Sequence, residues 1–208
     1  MTNLQKQVIL FVSNDLSCDN RVHKVALSLT NAGFRVLVVG RKLRNSLPLE
    51  KVLYARKRMR FVFNSGFLFY AEMNVRYFLF LLFRSFDIAT ANDLDTLPAV
   101  YCASRIKGRD CVYDSHEYFT EVPELVGRAR VQRVWQWIER QIFPKLRRCM
   151  TVCQSIADVY SEKYGIAVEV VRNVPNRSVV PVAPASVDVL QGRVVLYQGA
   201  LNMGRGLE

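Results

Sequence analysis

The sequence predicts an α/β fold, with a Rossmann-like, mostly parallel sheet and helices on both faces. Short apolar runs of strand length alternate with longer segments whose apolar residues recur at helical spacing. The first strand–helix–strand unit spans about 30 residues, which is the size of a βαβ unit. The alternation continues through most of the 208 residues, as is typical of open parallel sheets.

The first βαβ unit has clear boundaries. Residues 8–12 are an apolar run that predicts a buried strand, and a polar loop over 13–19 follows it. The helix is expected to begin after Asp19, a suitable N-cap, and to end before Gly33. Residues 35–40 are the second predicted strand.

The rest of the chain repeats this pattern. One amphipathic helix is marked by an apolar stripe from Val131 to Ile142, with Glu139 off the stripe, and it is expected to end before Pro144. The remaining predicted strands are residues 52–55, 88–91, 111–113, 149–153 and 168–171, and the remaining predicted helices are residues 67–83, expected to be buried, 97–105 and 156–164.

Composition changes near the end of the chain. We expect residues 1–176 to form the α/β domain and the proline-containing residues 177–192 to form an extended linker. Residues 193–208 contain a fresh strand and a glycine-rich turn, which is too little for a domain. They are therefore interpreted as the truncated start of a second α/β domain.

The net charge of +11 is unevenly distributed. Residues 1–60 hold 12 Lys or Arg and 3 Asp or Glu, a net charge of +9, with basic runs at 41–44 and 56–60. Such runs form a solvated face or bind an anionic partner, which can be nucleic acid, anionic lipid or a phosphorylated substrate. The second run lacks interleaved aromatic residues, which argues against single-stranded nucleic acid.

Neither a signal peptide nor a membrane-spanning helix is expected. The first residues lack the pattern of a signal peptide. The segment 67–83 is interrupted by Glu72, Asn74 and Arg76, whereas a spanning helix needs about 20 apolar residues. The five cysteines lack the spacing of a disulfide framework or a zinc site, which indicates reduced thiols, a cytosolic protein and no bound metal.

The candidate site residues follow the predicted strands, because ligands bind beyond the carboxyl ends of strands in such sheets. The first loop has no glycine, which argues against a dinucleotide there. Asp15 and Asp19 can instead accept hydrogen bonds from hydroxyl groups, and Arg21 favours an anion at the start of the helix. The alternative is that Asp19 only caps the helix and that Arg21 is solvated.

A histidine between carboxylates follows a later strand. His116 lies between Asp114 and Glu117, where it can donate a hydrogen bond to a sugar hydroxyl or a phosphate, or transfer a proton. The alternative is a histidine that only caps its loop. Asn92 and Asp93 end another strand, where they either cap a helix or bind a polar ligand.

Together these segments resemble the N-terminal half of a family 4 retaining glycosyltransferase of the GT-B fold. The motifs that carry the resemblance are DNRV at 19–22, AND at 91–93, YDSHE at 113–117, RNVPN at 172–176, and YQGA at 197–200 with GRG at 204–206. The chain departs from the family in having no glycine in its first loop, and in Ala200, where the family often has arginine.

The resemblance implies two Rossmann-like domains with a catalytic cleft between them. The N-terminal domain binds the acceptor, and the C-terminal domain binds a nucleotide-sugar, which is a substrate, so no cofactor and no metal is implied. By position, His116 is similar to a catalytic histidine that reaches the donor sugar. The implied acceptor-binding residues are Asp15, Asp19, Arg21, Asn92, Asp93 and Glu117, and the implied donor-binding residues are Gly199, Arg205 and Gly206.

We therefore expect a glycosyltransferase that acts on a glycan or lipid-linked acceptor in cell-surface polysaccharide or glycolipid biosynthesis. It is expected to be cytoplasmic and peripheral on an anionic inner membrane face, and these 208 residues alone are expected to be inactive. Two alternatives stay open. One is a nucleotide-sugar epimerase of the same fold, and the other is a non-catalytic basic module that binds nucleic acid or membrane.

Overall fold

Seven strands form one sheet in the structure, a computed structural model that describes residues 5–17, 19–125 and 127–174. Their bounds are Gln7–Asp15 (β1), Arg35–Arg41 (β2), Ala55–Met59 (β3), Ile88–Asn92 (β4), Asp110–Ser115 (β5), Cys149–Thr151 (β6) and Val168–Val170 (β7). They lie in the order β3-β2-β1-β4-β5-β6-β7, and every neighbouring pair is parallel. The predicted α/β fold with a parallel sheet is confirmed.

Five α-helices in the described part of the chain accompany the sheet. Their bounds are Asn20–Asn31 (α1), Gly66–Leu82 (α2), Leu97–Lys107 (α3), Ala129–Ile142 (α4) and Gln154–Tyr164 (α5), and three short 3-10 helices cover Phe119–Glu121, Pro123–Leu125 and Phe143–Lys145. Helix boundaries follow the sequence signals. Asp19 accepts a hydrogen bond from the backbone N–H of Val22 at 3.0 Å, and α4 ends two residues before Pro144.

Strand β1 is buried on both sides. Ile9 and Phe11 belong to a core that includes residues of α2 and α3, whereas Val8 and Leu10 belong to a second core with Val22 of α1. Because successive side chains of a strand point to opposite faces, helices cover both faces of the sheet. This double burial explains the uninterrupted apolar sequence of the strand.

The strand order reverses beside β1. The chain moves from β1 to β2 and β3 on one side, and then crosses to β4 on the other side. The carboxyl ends of β1 and β4 therefore flank the point where the connections diverge. In open α/β sheets this point is where a ligand crevice forms.

The predicted third strand is wrong in position. Residues 52–55 are mostly outside β3, which begins at Ala55 and continues through the basic residues Arg56, Lys57 and Arg58. Among the residues that the structure describes, strand β3 pairs only with β2 and forms the edge of the sheet. An edge strand tolerates charged side chains because water reaches them, and basic residues there also discourage pairing with another chain.

Helix α2 is only partly buried, although its whole segment was predicted to be. Phe69, Met73, Tyr77 and Leu81 are buried, at the spacing of one helix face. Its opposite face leaves large apolar side chains exposed, including Phe67, Leu68, Val75 and Leu79, and Phe83 is exposed just after the helix.

The predicted apolar stripe of α4 is also only partly buried in the core. Trp135 and Ile142 are buried, whereas Val131 and Val134 are exposed. Glu139, predicted to lie off the stripe, is fully buried. Its carboxylate accepts hydrogen bonds from Lys163 and Tyr164 of α5, which explains how a charged residue occupies this position.

Three further predictions concern membrane-spanning helices, disulfides and the domain bounds. No helix among the described residues is sufficiently long and apolar to span a bilayer. Four cysteines in this part of the chain, Cys102, Cys111, Cys149 and Cys153, form no disulfide. The predicted linker at 177–192 and the predicted second domain at 193–208 lie outside the described residues.

Candidate functional site

Four charged side chains meet at the carboxyl edge of the sheet, beside the point where the strand order reverses. Asp93 follows β4, Asp114 lies near the end of β5, and His116 follows β5 directly. Arg21 reaches them from the first turn of α1. These residues are called the His116 cluster below.

His116 lies between two carboxylates. Its Nδ1 atom is 3.2 Å from Oδ2 of Asp93, and its Nε2 atom is 3.4 Å from Oδ2 of Asp114. Its backbone N–H also donates to Oδ1 of Asp93 at 2.8 Å. The side chain is 20% exposed, so the ring is held in place by protein groups and still reaches the surface.

Asp114 is fully buried and is held by Arg21. The guanidinium Nη2 donates to Oδ1 of Asp114 at 2.6 Å, and Nη1 donates to the backbone carbonyl of Val171 at 3.1 Å. Asp114 was not among the predicted site residues. The signal was present, because a carboxylate at the end of a buried strand needs a cation partner, but the sequence alone does not identify Arg21 as that partner.

The cluster shifts the pKa values of its members. Burial acts to lower the pKa of His116, but the neighbouring Asp114 and the charge of Asp93 outweigh it and raise the pKa above 6.5. Burial acts to raise the pKa of Asp114, but His116 and Arg21 hold it below its ordinary value. The contacts therefore stabilise the protonated form of His116 and the ionised form of Asp114.

Asp93 occupies a strained position. Its φ of 67° is left-handed, which is unusual for a residue other than glycine, and its backbone N–H donates to the carbonyl of Asp114 at 3.0 Å. Burial raises the pKa of Asp93 to about 7, and the charge of Asp95 acts in the same direction. Strained residues of this kind concentrate at functional sites.

Several buried polar atoms at this edge have no hydrogen-bond partner among the described residues. They are Asn92 Oδ1, Asp95 Oδ1, and the facing atoms Asp114 Oδ2 and His116 Nε2, which lie 3.4 Å apart without an aligned hydrogen bond. Such atoms are rare in folded proteins. Their concentration at one edge of the sheet indicates a place where a polar ligand or water completes the hydrogen bonding.

Other predicted acceptor-binding residues contact backbone groups. Asp19 caps α1 through Val22, and the amide of Asn92 donates to the carbonyl of Phe11 at 2.8 Å. Glu117 is exposed, and its backbone carbonyl accepts a hydrogen bond from Ser115 at 2.7 Å.

Asp15 belongs to a different cluster at the end of β1. Its carboxylate accepts hydrogen bonds from Ser46, Arg58 and the backbone N–H of Ser17. Burial acts to raise the pKa of Asp15, but these three groups hold it below 3.8. The ion pair between Asp15 and Arg58 of the edge strand β3 connects Asp15 to the basic run at 56–60.

The predicted donor-binding residues Gly199, Arg205 and Gly206 lie outside the described residues. Within residues 5–17, 19–125 and 127–174, no group of His, Cys, Asp or Glu side chains is arranged to hold a metal ion.

Comparison with known proteins supports the fold. A sucrose-phosphate synthase from Thermosynechococcus elongatus aligns with 83% of this chain and 49% of its own, at 11% identity and a TM-score of 0.58. A UDP-GlcNAc 2-epimerase from Methanocaldococcus jannaschii aligns with 80% of this chain and 45% of its own, at 13% identity and a TM-score of 0.45. The chain thus spans about half the length of the structures it matches. No curated protein matches the sequence significantly.

A family model gives the more specific result. The model of Glycosyltransferase Family 4 matches residues 19–176, which is most of the 208 residues and includes the whole His116 cluster. The resemblance to the N-terminal domain of this family, inferred from short motifs, is thereby confirmed. The chain belongs to glycosyltransferase family 4.

Proposed function

We propose that this chain is the acceptor-binding half of a retaining glycosyltransferase that transfers a sugar from a nucleotide-sugar to a glycan or glycolipid in cell-surface polysaccharide biosynthesis. The observation that supports this most is the His116 cluster. It combines a partly exposed histidine, a raised histidine pKa and several unpaired polar atoms at the edge of the sheet where ligands bind.

The proposed role of His116 is to donate a hydrogen bond toward the donor sugar. During transfer, the bond from the sugar C1 to the diphosphate oxygen breaks, a bond from C1 to the acceptor oxygen forms, and the acceptor proton passes to the departing diphosphate. Negative charge develops on the diphosphate, and a positioned cation stabilises it. The ring of His116 suits this role because Asp93 and Asp114 hold it in place while its side chain stays 20% exposed.

The proposal includes a second domain. The chain spans 49% of the sucrose-phosphate synthase structure, and the family resemblance implies that a nucleotide-sugar-binding domain completes the cleft. We therefore expect the 208-residue chain alone to bind an acceptor without transferring sugar. The same resemblance implies transfer without a metal ion.

The test compares the two histidines of the sequence in the full gene product, assayed with nucleotide-sugars and oligosaccharide or lipid-linked acceptors. His116→Ala should lower kcat by about 100-fold or more, the usual cost of removing a donor that stabilises charge in the transition state. His23→Gln is the matched control and should keep full activity, because His23 contacts Tyr54 rather than the cluster.

The same assay distinguishes the alternatives. Nuclear magnetic resonance of the product should show the anomeric configuration of the donor. Conversion of a nucleotide-sugar without any acceptor would favour an epimerase. Wild-type kcat in His116→Ala would exclude the proposed role of His116.

We also propose that the enzyme is cytoplasmic and rests on an anionic inner membrane face through the surface between β3 and α2. This surface forms an open groove of about 580 Å³. The apolar residues Leu79, Phe80 and Phe83 line it, and Phe83 is 87% exposed. Its basic lining residues are Lys57, Arg58, Arg60, Arg76 and Arg84. Exposed aromatic side chains with cations beside them suit the interface of an anionic bilayer.

Vesicle sedimentation tests this second proposal. The chain should bind vesicles that contain phosphatidylglycerol and bind neutral vesicles weakly. Replacing Lys57 and Arg60 by Glu should lower the affinity at least about 25-fold, since each cation near the surface contributes about 1 kcal/mol. The same change at Arg130 and Arg133, exposed on α4, is the charge-matched control. Equal binding to both kinds of vesicle at low salt would overturn the proposal.

A further inference from the structure

A cavity lies at the amino-terminal edge of the sheet, opposite the edge that carries the His116 cluster. It has a volume of about 420 Å³ and lies between the end of α3 and the segment that precedes β6. Strand β5 begins at this cavity with Asp110 and Cys111 and ends at the cluster. The two sites are therefore separated by roughly 15 Å, the length of this strand.

Basic side chains from two parts of the chain line this cavity. Arg105 and Arg109 come from α3 and the turn after it, and Lys145 and Arg147 come from the opposite wall, while Asp110 is the one acidic residue among the lining residues. Arg109 pairs with Asp87 at 3.3 Å. No side chain among the described residues forms an ion pair or hydrogen bond with the other three cations.

The end of α3 explains only part of this charge. The last carbonyl groups of a helix favour nearby cations, which accounts for Arg105. It does not account for Lys145 and Arg147, which lie outside α3. These cations are exposed residues that line one cavity. Like charges at one site repel one another, and a bound anion offsets that repulsion.

Two buried hydroxyl groups supply an independent observation. Ser104 is 1% exposed and Tyr101 is half-buried, and both residues line the cavity. Neither hydroxyl oxygen has a hydrogen-bond partner in the described part of the chain. A serine inside a helix often bonds the carbonyl four residues earlier. Ser104 does not, and its buried oxygen lies at the wall of the cavity without a partner.

We propose that this cavity binds the phosphoryl group of a small metabolite or inorganic phosphate. Arginine side chains bind phosphate oxygens with paired, charge-assisted hydrogen bonds, and the Ser104 and Tyr101 hydroxyls supply further donors. The cavity volume falls in the range of small-molecule sites. The site is distinct from the proposed transfer site, and its ligand is recognised whether or not sugar transfer occurs.

Titration calorimetry and thermal unfolding of the 208-residue chain test the proposal with inorganic phosphate and glucose 6-phosphate, each at an ionic strength held constant with KCl. Both ligands should bind and raise the melting temperature. Tighter binding of glucose 6-phosphate identifies a phosphorylated metabolite, and equal binding identifies the phosphate group alone. If neither ligand binds at millimolar concentration, water fills the cavity and the proposal is wrong.

Charge-matched variants locate the binding. Arg105→Glu with Arg147→Glu should weaken binding at least about 100-fold, on the order of tenfold for each arginine. Arg130→Glu with Arg133→Glu changes the net charge equally, on exposed residues of α4, and should leave binding intact. An equal loss in both variants would show attraction to the basic surface in general and would contradict the proposal.

Ser104→Ala gives a result that does not depend on reversed charges. It removes a buried hydroxyl that has no partner, so the unliganded chain should be as stable as the wild type or more stable. Its affinity for phosphate should fall several-fold. An unchanged affinity in Ser104→Ala would remove the hydroxyl from the proposed site and overturn this part of the inference.

Discussion

Arg21 and Asp114 form a buried ion pair that connects the first turn of α1 to the end of β5. Nη2 of Arg21 lies 2.6 Å from Oδ1 of Asp114, and the two side chains are 8% and 0% exposed. The other carboxylate oxygen of Asp114 faces His116 at 3.4 Å. Arg21 therefore fixes the carboxylate that in turn positions one side of the histidine.

Removal of Arg21 should destabilise the fold. Arg21→Met leaves the Asp114 carboxylate buried without its cation, and breaking a buried pair costs about 3–5 kcal/mol. Urea unfolding measures the free energy of unfolding. Arg133→Met, on the exposed face of α4, is the control and should change it by about 0.5 kcal/mol or less. A loss below about 1 kcal/mol in Arg21→Met would contradict the importance of the pair.

The titration of His116 can be observed directly. The sequence has two histidines, so His23→Gln leaves one imidazole signal in the proton spectrum. That signal should titrate with a pKa above 6.5, because Asp114 and Asp93 outweigh the effect of burial. Asp93→Asn removes one of the negative charges and should lower the pKa of His116. An unchanged titration in Asp93→Asn would show that the two groups are not coupled.

The raised pKa values of His116 and Asp93 predict that the stability of the fold depends on pH. The raised pKa of His116 means that the native state holds its proton more tightly than the unfolded chain, so this stabilisation is present below about pH 6.5 and is lost as the pH rises through the native pKa. The raised pKa of Asp93, about 7, acts in the same direction. The wild type should therefore lose more stability between pH 5 and pH 8 than His116→Gln with Asp93→Asn, measured by urea unfolding. Equal losses would contradict the prediction.

A second buried charge holds α4 against α5. Glu139 is fully buried, Nζ of Lys163 lies 2.8 Å from its Oε1 atom, and the hydroxyl of Tyr164 donates to the same oxygen. Lys163→Met should lower the free energy of unfolding by about 1–3 kcal/mol, because it leaves the buried carboxylate with the Tyr164 hydroxyl but without its cation. Glu139→Leu with Lys163→Met removes both charges and should recover much of that loss. A double variant less stable than Lys163→Met would contradict this explanation.

The sequence predicted the fold well because each βαβ boundary carries a local signal. Asp19 caps a helix, Pro144 follows one, and the strands buried on both faces are continuous apolar runs. Strand β3 lacks that signal. At the edge of the sheet it needs no apolar partner on one side, so basic residues from Arg56 to Arg58 replace the apolar pattern.

The sequence predicted where the candidate site lies, but not which residues pair with one another there. Motifs at strand ends identified His116 and Asp93, since ligands bind at those ends. The partners could not be identified in the same way. Asp114 and Arg21 are 93 residues apart, and Glu139 meets Lys163 from another helix. Such pairs depend on tertiary packing, which the spacing of residues along one element does not reveal.

Gly40 of β2 should tolerate no side chain, because the segment that contains Asn14 and Leu16 passes too close to it. A Cβ atom there would lie 2.5 Å from Cδ2 of Leu16 and 2.8 Å from the backbone oxygen of Asn14. Leu16 can rotate, but the carbonyl can move only with the segment that carries Asp15. Gly40→Ala should therefore cost about 1–3 kcal/mol and shift the amide signals of residues 14–17.

Gly33→Ala is the control for this substitution, because a Cβ atom there meets nothing within 4 Å. Its φ of 88° makes alanine cost about 1–2 kcal/mol, but the signals of residues 14–17 should not move. The two variants therefore separate a conformational cost from a steric one. Unchanged signals in Gly40→Ala would contradict the explanation that the Asp15 segment lies too close to β2 for any side chain at residue 40.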